Sequence, residues 1–378
     1  MKQNKIKLAF IGGGSNSFIG IAHRIAAYMG ERYELVGGVF SSDYEGSKEF
    51  AANLDLDLSR VYPDLDAFVS GENRLPENER IEAVGILTPN FLHFEQASKL
   101  ISAGFHVICE KPITITSGEA LELESLIKEK EIVFALTHTY TGYPMVRQMK
   151  AMIAEGVIGK IQKVDAQYYQ GWINPVIHEK DKRQGIWRLD PKVSGKSSCF
   201  GDIGVHAFNM IEYTTGFKVE KVLADTTTMY EDNPLDVDGT ALIRTEDGVR
   251  GVIRASQIAT GEENNLRIYV YGDKGALIWE QEDPNYLTFL QDDKPAQIFK
   301  PGHAYNSDFA TDATKIAPGH PEGIFDAMGN IYTGAARAIR GTSKFEGAYP
   351  GIEDGVRGMK FIEAVLESSA KDQQWITL

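Results

Sequence analysis

The chain has 378 residues, too many for one ordinary hydrophobic core, and its 43% apolar and 24% charged residues are those of a folded globular protein. A net charge of −14 offers no broad positive field for nucleic acid or an anionic membrane, although a local basic pocket can still hold a small anion. Two cysteines, Cys109 and Cys199, are too few for a disulfide framework, and no run approaches the roughly 20 apolar residues that span a bilayer, so a reducing, cytoplasmic setting is expected.

Up to residue 138, short β-rich runs alternate with helical patterns. Strands are predicted over 6–11, 33–40, 83–87, 106–109 and 132–136. Between them, Phe94, Ala97, Leu100 and Ile101 recur at helical spacing over 93–103. Thr116 and Glu119 form a capping box ahead of Leu121, Leu123, Leu126 and Ile127. Such alternation implies a doubly wound parallel sheet.

After residue 139 the texture changes. A helix over 144–155 precedes longer alternating runs at 161–170, 219–229, 239–244, 249–258, 266–271 and 276–279. Asp247-Gly248 and Asp273-Lys274-Gly275 are hairpin signals, so these strands are expected to be antiparallel neighbours. A helix over 203–213 interrupts them. The stretch 291–323, with four prolines, reads as a long loop, and loops of that length are more often functional than idle. Helices over 324–339 and 352–368 close the chain. The fold class is α/β: a Rossmann doubly wound parallel sheet over 1–138, then an α+β domain over 139–378 built on an open, mostly antiparallel sheet.

Gly12, Gly13 and Gly14 follow the first strand directly, and glycines there let the backbone approach a pyrophosphate with no Cβ in the way. The third glycine of the usual fingerprint comes late, as Gly20, six residues past Gly14, leaving Ser15, Asn16 and Phe18 in an extended phosphate loop. The acid that reads a ribose after the second strand is missing; Ser41 and Ser42 stand there, with Asp43 displaced. No arginine beside Asp43 offsets a 2′-phosphate, which favours NAD over NADP. Thr88-Pro89-Asn90 and His93 close the third strand and open a helix, where Asn90 is either the helix cap or a contact to the nicotinamide ribose. Glu110-Lys111-Pro112 follows the fourth strand. These stretches are the candidate cofactor contacts: Gly12, Gly14, Ser15, Asn16, Phe18, Ser41, Ser42, Thr88, Pro89, Asn90, His93, Glu110 and Lys111.

Asp202 and His206 are four residues apart and share a helix face, beside the apolar stripe Ile203, Ala207, Met210 and Ile211. Oxidising an alcohol requires a base for the hydroxyl proton, and histidine titrates near neutrality. A lysine serves only if burial or a neighbouring positive charge depresses it. The plainer alternatives are Asp202 as a helix cap, Lys111 on the surface and His206 packed in a core. Two ligands do not make a metal site, so none is expected.

The motifs Gly12-x-Gly14, Thr88-Pro89-Asn90-Phe91-Leu92-His93, Glu110-Lys111-Pro112 and Gly201-Asp202-Ile203-Gly204-Val205-His206, in this order, resemble those of the Gfo/Idh/MocA family across essentially the whole chain. That resemblance implies that Lys111, Asp202 and His206 surround the substrate hydroxyl that gives up hydride to NAD. It also implies a small carbohydrate substrate and a homodimer or homotetramer paired through the open sheet. His138 and Tyr140 stand where the family usually has an asparagine and an aromatic residue. Trp172, Trp187, Arg188 and His320 are further candidate substrate contacts, and the basic cluster 178–183 with Arg188 suits an anionic substituent. The same residues would serve a net dehydrogenase of a sugar, cyclitol or glycoside. They would equally serve a redox-neutral, NAD-dependent glycosidase of the sulfoquinovosidase type. A non-catalytic sugar sensor would keep the fold without the chemistry.

Overall fold

The computed structural model describes residues 5–15, 17–179, 186–229 and 234–378, and the chain forms two compact units. The first comprises Met1–Thr114, Gly118–Thr139 and Met328–Val356. Its strands β1 (Ile6–Gly12), β2 (Tyr33–Val39), β3 (Ala83–Leu87), β4 (His106–Cys109) and β5 (Phe134–Leu136) run parallel in the order β2-β1-β3-β4-β5. Every residue of β3 is buried, as expected of a parallel strand covered on both faces. Helices α1 (Phe18–Met29), α2 (Tyr44–Ala52), α3 (Leu65–Glu72), α4 (His93–Ser102) and α5 (Ser117–Lys130) make the crossovers. Because all five strands point the same way, their carboxyl ends and the residues that follow collect along one edge. The order reverses between β1 and β3, which opens a crevice there.

This unit does not end at residue 138. Ile6, Leu8 and Phe10 of β1 and Ala22 and Ala26 of α1 share a core with Met328, Tyr332, Ala335 and Ala336. Those four lie on the helix Ile324–Ile339, whose small apolar residues fill the space beside β1. A stretch distant in sequence thereby completes the nucleotide-binding core.

The second unit comprises Ile115–Ser117, Tyr140–Ala327 and Arg357–Leu378. Among the described residues its nine strands are β6 (Ile161–Tyr169), β7 (Val219–Thr227), β8 (Asp238–Thr245), β9 (Arg250–Ser256), β10 (Asn265–Gly272), β11 (Ala276–Glu280), β12 (Leu287–Leu290), β13 (Gln297–Phe299) and β14 (Ile376–Thr377). They run in the order β13-β12-β11-β10-β6-β9-β8-β7-β14. Neighbours are antiparallel except the central pair β6 and β9, which are parallel. The hairpin signals hold, but the long connection from β6 carries the helix Val205–Thr215 and gives the chain room to return in the same direction. Helix α6 (Pro144–Ala154) and Val205–Thr215 lie on one face of the sheet. On the other face, Leu242, Tyr271 and Leu290 are exposed among charged residues such as Lys163 and Arg250.

Two further expectations change. Residues 291–323 are not a featureless loop: they contain β13 and the helix Asp308–Ala313, whose start is capped by Ser307 Oγ on the Ala310 amide. Prolines on either side hide that cap in the sequence. The helix expected over 203–213 begins earlier, as a π-helical turn over Phe200–Gly204 that leads into Val205–Thr215. Among the described residues, no helix is long and apolar enough to cross a membrane.

Candidate active site

The carboxyl edge of the parallel sheet is made first of backbone. Gly12 and Gly13 hold φ of +84° and +78°. A Cβ at Gly12 would stand 2.9 Å from the Leu87 carbonyl oxygen, and one at Gly14 would stand 2.7 Å from that of Phe40. Gly20 is tighter still: a methyl there would meet the Gly13 oxygen at 2.3 Å. Gly20 thus does the work of the late third glycine, bringing α1 onto the β1 turn. Ser17 caps α1 by accepting from the Gly20 amide, so the helix presents its amino end beside the glycine turn. These residues fit a dinucleotide's pyrophosphate. Ser15 is exposed, and Phe18 is 86% exposed on the first turn of α1. Asn16 lies outside the described residues. Ser41 and Ser42 are exposed just past β2, where the Ser41 hydroxyl accepts from the Asp43 amide at 3.1 Å.

Behind this edge sits a buried polar network. The Glu110 carboxylate takes Nε2 of His23 at 2.8 Å and the hydroxyl of Thr137, while Nδ1 of His23 lies 2.7 Å from the Tyr332 hydroxyl. The two ring nitrogens of His23 thus bridge the carboxylate and the tyrosine hydroxyl. These contacts and the nearby charge of Lys111 hold Glu110 below the usual carboxylate range against the opposing effect of burial. Glu110 therefore props the lysine's loop from beneath.

His93 corrects an expectation. Its ring is fully buried, with Nδ1 2.8 Å from the Pro112 oxygen and Nε2 2.8 Å from the Thr88 oxygen. It ties two loops together and turns no ring nitrogen to a cofactor. Asn90 is not the cap of α4 either; it opens a 3-10 turn, Asn90–Leu92, ahead of the helix, with Pro89 before it. Thr88 donates its hydroxyl to Gln96 at 2.7 Å. His138, just past β5, is buried, and burial together with the charge of Lys111 pushes its pKa down to about 3. It is a neutral imidazole at any working pH.

In the second unit the candidate site is made of side chains. Asp202 sits in the π-turn, whose cap position is Cys199, so Asp202 is not a helix cap. The Asp202 Oδ2 oxygen lies 3.2 Å from Nε of Arg188 and 3.4 Å from Nε2 of Gln257. Arg188, expected from the sequence to meet substrate, is paired with Asp202, its guanidinium 4.4 Å from the Trp187 ring centre and 6.0 Å from that of Trp172. His206, 6% exposed, stands edge-on to Tyr140 at 4.8 Å and 6.1 Å from the Tyr168 ring.

A chain of hydrogen bonds runs on from there. The Tyr140 and Tyr168 hydroxyls are 2.5 Å apart, Tyr168 donates to Asn264 Oδ1 at 3.0 Å, and Gln170 Nε2 donates to the same oxygen at 2.8 Å. Gln170 Oε1 in turn accepts from the Trp172 indole at 3.0 Å. Tyr168, Gln170, Gln257 and Asn264 were not singled out in the sequence, where the only mark they leave is a polar residue at or next to the end of an otherwise alternating strand. His320 is exposed, and its Nδ1 faces the Ala317 oxygen of its own turn at 3.1 Å. In the basic cluster 178–183, residues 180–183 lie outside the described residues.

Residues 6–138 match the family model "Oxidoreductase family, NAD-binding Rossmann fold", and residues 146–278 match "GFO/IDH/MocA C-terminal domain". The chain is 32% identical to the uncharacterized oxidoreductase YfiI of Bacillus subtilis, over 98% of this chain and 96% of that one. It is 28% identical to a levoglucosan dehydrogenase of Pseudarthrobacter phenanthrenivorans, over 78% of this chain and 80% of that one. Among solved structures it resembles an inositol dehydrogenase homologue of Azotobacter vinelandii, at 32% identity over 99% of this chain and 98% of that one. The TM-score is 0.92 for that protein's complex with NAD+ and 0.90 for its complex with NADH and myo-inositol.

Proposed function

Because the chain belongs to the GFO/IDH/MocA family of NAD-binding oxidoreductases, we propose that it oxidises a secondary ring hydroxyl of a cyclitol or sugar. The observation that carries this reading is the strip from Trp172 through Gln170, Asn264, Tyr168 and Tyr140 to His206. It alternates aromatic faces with hydrogen-bonding groups, which suits the apolar faces and ring hydroxyls of a polyol. The myo-inositol and levoglucosan of the two relatives are substrates of this kind.

Bound NAD supplies the hydride acceptor, C4 of its nicotinamide ring. Lys111 and His206 are the two candidates to take the hydroxyl proton. Glu110, held by His23 and Thr137, keeps the loop of Lys111 in place. Asp202, fixed by Arg188 and Gln257, accepts a hydrogen bond from the substrate and orients the reacting carbon. His138 stays neutral and offers a polar contact without a competing charge.

The test incubates the protein with NAD and a panel of myo-inositol, levoglucosan, free sugars and glycosides, sulfonated ones included, following reduced nicotinamide at 340 nm and aglycone release. Steady reduction of NAD by a polyol is the expected outcome. Aglycone release with no net reduction would mean the hydride is borrowed and returned. NAD binding with neither signal would point to a sensor.

A further inference from the structure

Four consecutive amides, those of residues 198 to 201, lie at the start of the π-turn that carries Asp202, and each has a partner outside the turn. Ser198 and Phe200 donate to the two carboxylate oxygens of Asp236 at 2.9 and 2.8 Å. Cys199 donates to the Asp236 carbonyl at 3.0 Å, and Gly201 to the Ser197 hydroxyl at 2.8 Å. Asp236 is itself buried, so a carboxylate withdrawn from water is committed to holding this turn. One step away, Gln257, the residue after β9, is fully buried, and its backbone amide donates to the Val237 carbonyl at 2.8 Å.

An amide side chain fits its site in either of two orientations unless its neighbours decide. Here Ser198 Oγ donates to Gln257 Oε1 at 2.9 Å, leaving Nε2 to face Asp202 Oδ2 at 3.4 Å. The reversed amide would set its oxygen against the carboxylate, two acceptors with no proton between them. We propose that Gln257 is a positioning residue for the reaction: locked by Ser198 on the frame that Asp236 holds, it keeps Asp202 ionised and aimed as a hydrogen-bond acceptor. The proposal rests on the reading that Asp202 orients the substrate, but it can fail separately from it.

Among the groups around Asp202, Arg188 from the preceding segment is paired with it, Tyr168 of β6 and the Cys199 thiol interact with it electrostatically, His206 follows four residues on along the chain, and Asp236 and Asp238 stand beside Cys199. The experiment titrates the NAD-loaded protein carrying 13C at its aspartate carboxyl carbons, with the Asp202 signal identified by its loss in Asp202→Asn. Gln257→Glu should raise the Asp202 pKa by about one unit or more, because two carboxylates then share the site. Gln257→Met and Ser198→Ala should raise it by roughly half a unit, through loss of a donor and loss of the lock. An Asp202 pKa unmoved in all three variants overturns the proposal, even if each variant is less stable, since a merely structural role would not shift the titration. Should Gln257→Glu fail to fold, the other two decide. Turnover of Asp202→Asn on a polyol accepted by the wild type tests the underlying reading on its own: full activity there would remove Asp202 from the reaction without altering the titration result.

Discussion

The two units build their candidate surfaces from different materials. At the edge of the parallel sheet the working surface is main chain: glycines without Cβ atoms, a helix amino end, and carbonyls tied by the buried His93. In the second unit it is side chain: Asp202 held by Arg188 and Gln257, and His206 beside two tyrosines. A backbone surface suits a ligand whose phosphates never vary, while a side-chain surface can be retuned one residue at a time. The first half should therefore be intolerant of any added atom, and the second graded in its response.

The largest expected effect crosses that contrast, because Lys111 is a side chain on the backbone-built edge. Lys111→Ala should cut turnover on the accepted polyol by roughly 10³-fold. NAD affinity, read by quenching of protein fluorescence, should change little; a parallel collapse of NAD binding would make the lysine a cofactor anchor instead.

Next in size is a stability effect with a defined pH window. The folded pKa of His138, about 3, lies below its unfolded value near 6.5, so the unfolded chain takes up the proton first. Stability is full above pH 6.5 and falls as pH drops toward 3. At pH 5 the loss from His138 alone is about 2 kcal/mol, roughly 30-fold in the folding equilibrium. His93 and His106, both lowered by burial, act in the same direction. Urea unfolding at pH 7.5 and 5 should show His138→Gln with the smaller acid loss; equal losses would show that the ring is not buried neutral.

Gly20→Ala comes third. Its methyl must displace the Gly13 carbonyl, costing on the order of 1–3 kcal/mol in stability, and NAD binding should weaken with it. Gly216→Ala is the matching change in the second unit, where φ is +74° but no atom crowds the new Cβ. It should lower the melting temperature slightly and leave NAD affinity alone. If both variants lose NAD equally, the contrast between the units is wrong.

The smallest effect belongs to the polar strip. Tyr140→Phe removes one hydroxyl from the run shared with Tyr168 and Asn264 and should raise KM for the polyol by about 5- to 10-fold with kcat nearly intact. A fall in kcat at constant KM would move Tyr140 into the proton path.

The same contrast explains what the sequence discloses. Parallel strands must end at one edge, so the five-stranded sheet could be read directly, and with it the place of Gly12, Gly14 and Lys111 along that edge; glycine turns after strands are common, so the glycines alone say less. Arg188 could be picked out but not its partner, because the ion pair with Asp202 depends on tertiary placement rather than spacing. Gln257 and Tyr168 were silent: a polar residue near a strand end looks the same whether it faces water or a carboxylate. The four-residue spacing of Asp202 and His206 was visible, yet not the wider π-turn between them, which the buried Asp236 accompanies from outside the helix.

The return of Met328–Val356 to the nucleotide-binding core bears on how the protein is made. On the ribosome the first strands and α1 emerge early, but Tyr332, the partner of His23 and Tyr33, is still untranslated. At about 5–20 residues per second, the stretch 140–327 delays it by roughly 10–40 s. During that interval the apolar side of β1 and α1 lacks its cover. A nascent chain arrested before residue 328 should therefore be captured by chaperones and bind no NAD, whereas one released after residue 356 should acquire the cofactor.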